Sequence, residues 1–149
     1  MQLCAYLVVA AVVLLYSPTE GLPQRIVDKM ESAIKECQGR FKISADDLET
    51  FRTSGMLKDE KAPDGTCFVQ CVMEEMGMVK DGIFSTERKM QVSEEAFKDF
   101  KTPDGAVIDI EKMRNGVTEC AAAATGDTTC AKNYSIWVCL GAKRQEVGL

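Results

Sequence analysis

The sequence predicts an all-α domain of about six helices, and three observations lead to this prediction. Apolar residues recur every three or four positions through most of the chain, which is the period of helices that face a core. The alternation of apolar and polar residues that is typical of strands is scarce. Serine, glycine and Pro-Asp-Gly signals divide the periodic segments from one another.

The first two helices have recognisable ends. Pro23 suits a first helical position, and Gly39 is expected to end the helix that follows it. Ser44 is a suitable N-cap for the second helix, because its hydroxyl can accept a hydrogen bond from an N–H of the first turn. Gly55 is expected to close that helix.

The third helix is expected to begin near residues 63–65 and to stop at Gly77. The pair at residues 81–82, Asp-Gly, indicates a turn. Residues 85–101 then offer one or two short helices.

A Pro-Asp-Gly break at residues 103–105 precedes the fifth helix, which carries an apolar face from Ile110 to Ala124. The pair at residues 115–116, Asn-Gly, usually marks a turn and predicts a kink or a split there. The last helix is expected from about Thr128 to Ala142. No repeat or linker interrupts the chain, so one domain is predicted.

The N-terminal segment is expected to be a signal peptide. Leu3 to Tyr16 is almost wholly apolar, but 14 residues are too few for a membrane-spanning helix, which needs about 20. We expect cleavage after Gly21, which assigns residues 1–21 to the signal and residues 22–149 to the domain. A membrane anchor is the less favoured alternative, since no second apolar run follows.

Composition excludes several classes of function. The formal net charge of −5 argues against a nucleic-acid partner, which would require a basic surface. The chain contains no histidine, which excludes Ser-His-Asp and Cys-His nucleophilic pairs and histidine-ligated zinc. We therefore expect no enzymatic activity, no cofactor and no metal.

Six cysteines lie beyond the expected signal peptide, and an even number on a secreted chain indicates disulfides. They are Cys37, Cys67, Cys71, Cys120, Cys130 and Cys139. Two of the gaps between them carry geometric information. The second and third cysteines are four residues apart, so they leave one face of a helix. The last two are nine apart and therefore leave opposite sides of the last helix. Spacing alone does not select among the 15 possible pairings.

This order of cysteines, with a Cys-x3-Cys pair and a final Cys-x9-Cys-x8-Cys run, resembles the insect odorant-binding proteins of the pheromone-binding and general odorant-binding superfamily. The resemblance covers the chain from Cys37 to Cys139. It implies three interlocked disulfides, which are Cys37–Cys71, Cys67–Cys130 and Cys120–Cys139. The 48-residue gap between Cys71 and Cys120 is long for the family, and the surplus is expected around residues 80–92.

The resemblance further implies an internal apolar cavity for small hydrophobic ligands such as odorants, pheromones or similar lipid-like compounds. Methionines and aromatic residues are suited to lining it, because methionine adapts its shape to unlike ligands. The candidate ligand-binding residues are Met56, Leu57, Phe68, Val72, Met76, Met90, Phe97, Phe100, Met113, Tyr134, Trp137 and Val138. Ordinary core packing is the alternative for each of them singly. Val147 and Leu149, beyond the last cysteine, are candidates to cover the cavity.

The resulting hypothesis is a secreted, extracellular carrier that does not act on a membrane. It allows a chemosensory receptor as a protein partner and a monomer or weak homodimer as the oligomeric state. The main alternative is a secreted, disulfide-rich helical interaction protein with a filled core, similar to a cytokine or a toxin. The Asn-Tyr-Ser sequon at residues 133–135 lies within the last helix, so we expect it to be unoccupied in most molecules.

Overall fold

The computed structural model describes residues 22–147, so the expected signal peptide lies outside the described residues. Six α-helices and one short hairpin form the regular structure of this range, which confirms the all-α prediction. The elements are α1 (Gln24–Gln38), α2 (Ala45–Ser54), α3 (Pro63–Glu75), β1 (Val79–Lys80), β2 (Ile83–Phe84), α4 (Thr86–Phe97), α5 (Ile110–Ala122) and α6 (Thr129–Glu146).

Helix α2 begins and ends as its sequence predicts. The Ser44 hydroxyl accepts a hydrogen bond from the Asp47 N–H at 3.0 Å, which satisfies one free donor of the first turn. Gly55 adopts a left-handed conformation with φ of 73° and donates its N–H to the Phe51 carbonyl at 2.8 Å. A residue with a Cβ would be strained at this φ, and this explains the glycine.

The hairpin is an element that the helical pattern did not predict. Val79 pairs with Phe84 and Lys80 pairs with Ile83. The Asp-Gly turn at residues 81–82 has positive φ at both positions, 53° and 76°, as hairpin turns of the mirror-image type require. Strands of two residues are too short to show alternation, so only their turn was visible in the sequence. The hairpin and α4 account for the segment in which the surplus residues were expected.

Helix α5 runs without a break from Ile110 to Ala122, so a split at residues 115–116 is wrong, and a kink there stays a prediction. Gly116 is buried there, and a Cβ on it would lie 3.5 Å from the Cβ of Lys143 in α6. A Cβ at that distance would make ordinary van der Waals contact, so position 116 belongs to the packed α5–α6 contact and does not end the helix.

Helix α6 is longer than its pattern indicates, because it continues to Glu146 rather than ending near Ala142. Most of the expected C-terminal tail is therefore helical. Lys112 of α5 donates a hydrogen bond from Nζ to the Glu146 carbonyl at 2.6 Å and so satisfies an unpaired acceptor at the helix end. Leu149 lies outside the described residues.

Three disulfides join four of the helices. Cys37 of α1 pairs with Cys71 of α3, Cys67 of α3 pairs with Cys130 of α6, and Cys120 of α5 pairs with Cys139 of α6. These are the pairs that the family resemblance implies. The two cysteines of α6 leave opposite sides of the helix and hold it to two different partners, in agreement with their spacing.

Two groups of buried apolar residues form the core. The large cluster lies where α1, α3 and α6 meet, and the small cluster lies mainly between α4 and α5. The large cluster comprises Ala33, Ile34, Cys37, Phe51, Leu57, Phe68, Val69, Cys71, Val72, Met73, Met76, Met78, Val79, Cys120, Tyr134 and Ile136. The small cluster comprises Met90, Ala96, Phe97, Ile108, Met113 and Val117. Within residues 22–147, no helix combines the length and the apolarity that a membrane span requires.

Candidate ligand site

Seven of the twelve candidate residues belong to the large cluster or pack against it. Leu57, Phe68, Val72, Met76 and Tyr134 are buried in it, and Trp137 and Val138 are partly buried against it. Its centre is aromatic. The Phe51 ring meets the Phe68 ring edge-on at 5.6 Å and stacks on Trp137 at 5.5 Å. These arrangements bring α2, α3 and α6 together through ring contacts.

Four candidates contribute to the small cluster. Met90, Phe97 and Met113 are buried in it, and Phe100 is partly buried against it, with its ring 5.6 Å from that of Phe97. Met56 is the exception, because it belongs to neither cluster and is 38% exposed. The structure therefore separates the candidates into two groups instead of gathering them around one point.

Three further apolar side chains connect the two groups. Ile26 of α1, Phe84 of β2 and Leu140 of α6 each pack against both clusters, and all three are only partly buried. We call these three residues the seam. Apolar side chains that keep accessible surface between two buried clusters can still gain by contact with an apolar ligand. Sequence reasoning missed the seam, because Ile26 and Leu140 look like ordinary helix residues and Phe84 lies in the unpredicted hairpin.

The polar groups beside the large cluster are already engaged within the protein. The Tyr134 hydroxyl accepts a hydrogen bond from the Leu57 N–H at 3.0 Å and donates one to Glu60 Oε1 at 3.3 Å. Burial raises the pKa of the Tyr134 hydroxyl above its ordinary value, so it stays protonated. Trp137 donates its Nε1–H to the Gly55 carbonyl at 2.6 Å. Tyr134, one of the twelve candidate ligand-binding residues, thus has a structural role in this state.

Lys89 of α4 is the polar residue beside the small cluster that the sequence analysis did not identify. Its Nζ donates a hydrogen bond to the hydroxyl of Ser93 at 2.7 Å, and Ser93 is 1% exposed. Desolvation lowers the pKa of the Lys89 ammonium to about 8. A lysine next to Met90 in a charged helix normally indicates a solvated face, so the sequence carried no sign of this burial.

Two hollows open on the surface of the described part of the chain, and none of the twelve candidates lines either one. The first, about 480 Å³, lies between the start of α2 and the start of α3 and is lined by charged residues that include Asp46, Asp47 and Lys58. The second, about 270 Å³, lies between residues 102–107 and Val147. Val147 therefore lines a surface hollow together with this loop, and the enclosed apolar cavity stays a prediction. Among the described residues, no three cysteine, aspartate or glutamate side chains are grouped as metal ligands.

A helical domain closed by three interlocked disulfides around a largely apolar interior is the architecture of small secreted binding proteins. The sequence model of the PBP/GOBP family matches residues 20–143. The chain belongs to this family, which confirms the resemblance carried by its cysteines. Members of the family are carriers of odorants and pheromones, and secretion is typical of them. Searches among curated proteins and among solved structures gave no match to the chain.

Proposed function

We propose that this protein is an extracellular carrier that binds small hydrophobic molecules between its two core clusters and keeps them in solution. The observation that supports this most directly is the seam. Ile26, Phe84 and Leu140 come from three different elements and are the apolar residues that pack on both clusters while keeping accessible surface. A ligand that parts the clusters there gains apolar contacts on both sides.

The binding energy comes from removing the ligand from water and needs no chemical step. Each buried methylene contributes about 0.8 kcal/mol, and association and ordering cost part of that sum. A ligand of about 10 to 15 carbons is therefore expected to bind with a Kd in the micromolar range. The methionines at residues 76, 90 and 113 lie in the two clusters and can change rotamer to fit ligands of different shape.

A surface-acting interaction protein is the second candidate, and one observation favours it. Phe68, Val69 and Val72 of α3 have no accessible surface, so the middle of the large cluster is filled by the protein itself. In that case the seam would be ordinary imperfect packing, and function would depend on the exterior.

Fluorescence titration with N-phenyl-1-naphthylamine distinguishes the two functions. The delipidated protein is expected to brighten the probe with a saturable, micromolar Kd, and decan-1-ol is expected to displace it. A complete titration without a saturable signal would refute the carrier function and favour the interaction protein.

Two neighbouring residues of β2 locate the binding site. Phe84 packs on both clusters, whereas Ile83 is 71% exposed. Phe84→Ala is expected to weaken probe binding about tenfold, because it removes much of the apolar contact at the seam. Ile83→Ala is the matched control and is expected to leave the Kd unchanged. Equal effects of the two variants would place the site elsewhere.

A further inference from the structure

Lys89 is partly buried on the inward side of α4. The buried residues of this helix include Met90, Ser93 and Phe97, and Lys89 lies one turn before Ser93 on the same side. Its Nζ reaches the Ser93 hydroxyl at 2.7 Å, so the hydrogen bond holds the ammonium against a buried group instead of extending it into water.

The ammonium has no ionic partner there. Among residues 22–147, no carboxylate oxygen lies within 4 Å of Lys89 Nζ, and the Ser93 hydroxyl is its one hydrogen-bond acceptor. The acidic residues of the same helix that form ion pairs, Glu87 and Glu94, both bind Arg114 of α5 at 3.0 Å. An ammonium carries three N–H donors, so two of the three on Lys89 have no acceptor among residues 22–147.

The other buried-side residues of α4 are apolar or small, and an apolar residue at position 89 would continue their pattern. A desolvated cation with one neutral partner is costly, and such groups concentrate at binding sites. The pKa of about 8 leaves the Lys89 amine predominantly charged at pH 7. The Lys89 ammonium therefore lacks an anionic hydrogen-bond acceptor, because the described residues do not supply one.

We propose that Lys89 binds the carboxylate of an apolar-tailed acid, with the tail along the small cluster. The Lys89 ammonium donates to the carboxylate, and the Ser93 hydroxyl, whose oxygen accepts from Lys89, donates its own proton to the same group. Met90 and Phe97 are buried in this state, and they become apolar contacts for the first carbons of the tail when the small cluster parts around it. This inference rests on the proposed carrier function and narrows its ligand class to long-chain carboxylates.

The test compares dodecanoate, dodecan-1-ol and methyl dodecanoate as competitors of N-phenyl-1-naphthylamine at pH 7. These three compounds share one tail and differ in the head group. The wild-type protein is expected to bind dodecanoate at least about tenfold more tightly than the alcohol or the ester, as charge-assisted hydrogen bonds in a desolvated site typically allow.

Lys89→Met keeps the length of the side chain and removes its charge. It is expected to lose the preference for dodecanoate and to bind dodecan-1-ol as the wild type does, and this unchanged binding also shows that the variant is folded. Lys98→Met is the matched control, because Lys98 is exposed at the end of α4. That control is expected to keep the full preference.

The outcomes separate this inference from the function on which it rests. If the wild type binds the three compounds equally, or if Lys89→Met retains the preference, the carboxylate site is refuted and the carrier function stands. If none of the three compounds displaces the probe and the probe itself does not bind, both are refuted.

Discussion

The burial of Lys89 has a measurable effect on stability, independent of any ligand. A lysine with an ordinary pKa of 10.5 and a pKa of about 8 in the folded protein costs about 3 kcal/mol while it is charged in both states. Lys89→Met removes this cost and keeps the apolar stem. We therefore expect the substitution to raise the free energy of unfolding by up to about 3 kcal/mol at pH 7.

The expected stability difference between the wild type and Lys89→Met depends on pH. The pKa of Lys89 is lower in the folded state, so the destabilisation is complete below about pH 8 and disappears as the pH rises to 10.5. Urea unfolding of the delipidated, disulfide-intact wild type and variant should therefore differ most at pH 7 and converge near pH 10.5.

Two results would refute this reasoning. A variant that is less stable than the wild type at pH 7 would show that the ammonium makes favourable interactions in the folded protein. A stability difference that stays constant from pH 7 to pH 10.5 would show that the Lys89 amine keeps its ordinary pKa and is solvated.

Three other predictions test the contacts of the core. Tyr134→Phe removes the hydroxyl that accepts a hydrogen bond from the buried Leu57 N–H at 3.0 Å. Urea unfolding should therefore show that the free energy of unfolding falls by about 1–2 kcal/mol. An unchanged free energy of unfolding would show that this hydrogen bond does not stabilise the fold. A hydrogen bond from the Asp59 N–H is the main reason that the pKa of Asp47 lies below its usual 3.8. The ionised carboxylate therefore stabilises the fold above pH 3.8, and this stabilisation is lost as the pH falls through the lowered pKa. Asp47→Asn should thus cost about 2 kcal/mol at pH 7 and progressively less below about pH 4, whereas an equal cost at pH 3 and pH 7 would count against this assignment. Asn133 is 2% exposed and donates to Gln70 at 2.8 Å, so the intact mass of protein secreted by eukaryotic cells should include no N-glycan at the sequon.

The sequence predicted those parts of the fold that depend on local signals. The cap at Ser44 and the left-handed Gly55 act within one turn of helix, and both are where the sequence indicated. Features that depend on tertiary contact were not predictable. Gly116 continues a helix because α6 packs against it, whereas the Asn-Gly pair alone indicates a turn. The β1–β2 hairpin has strands of two residues, too short to produce a period.

The sequence predicted which types of residue make up the candidate site but not how they are arranged. Eleven of the twelve candidates pack in or against a cluster, and their role in ligand binding stays a prediction. Their division into two clusters depends on how α4 and α5 pack, which sequence spacing does not encode. The partial burial of Lys89 could not be predicted from the sequence for a related reason. Its burial follows from the position of α4 relative to its neighbours, and nothing in the residue type distinguishes it from a surface lysine.

The three disulfides cross-link α1, α3, α6 and α5 to one another, whereas α2 and α4 contain no cysteine. Relative motion among the four cross-linked helices is therefore restricted, while α2 and α4 are held by noncovalent contacts alone. Rearrangements that admit or release a guest molecule should accordingly be concentrated in these two helices. Since α4 carries both Lys89 and part of the small cluster, the proposed binding groups lie on one of the two helices that no disulfide holds in place.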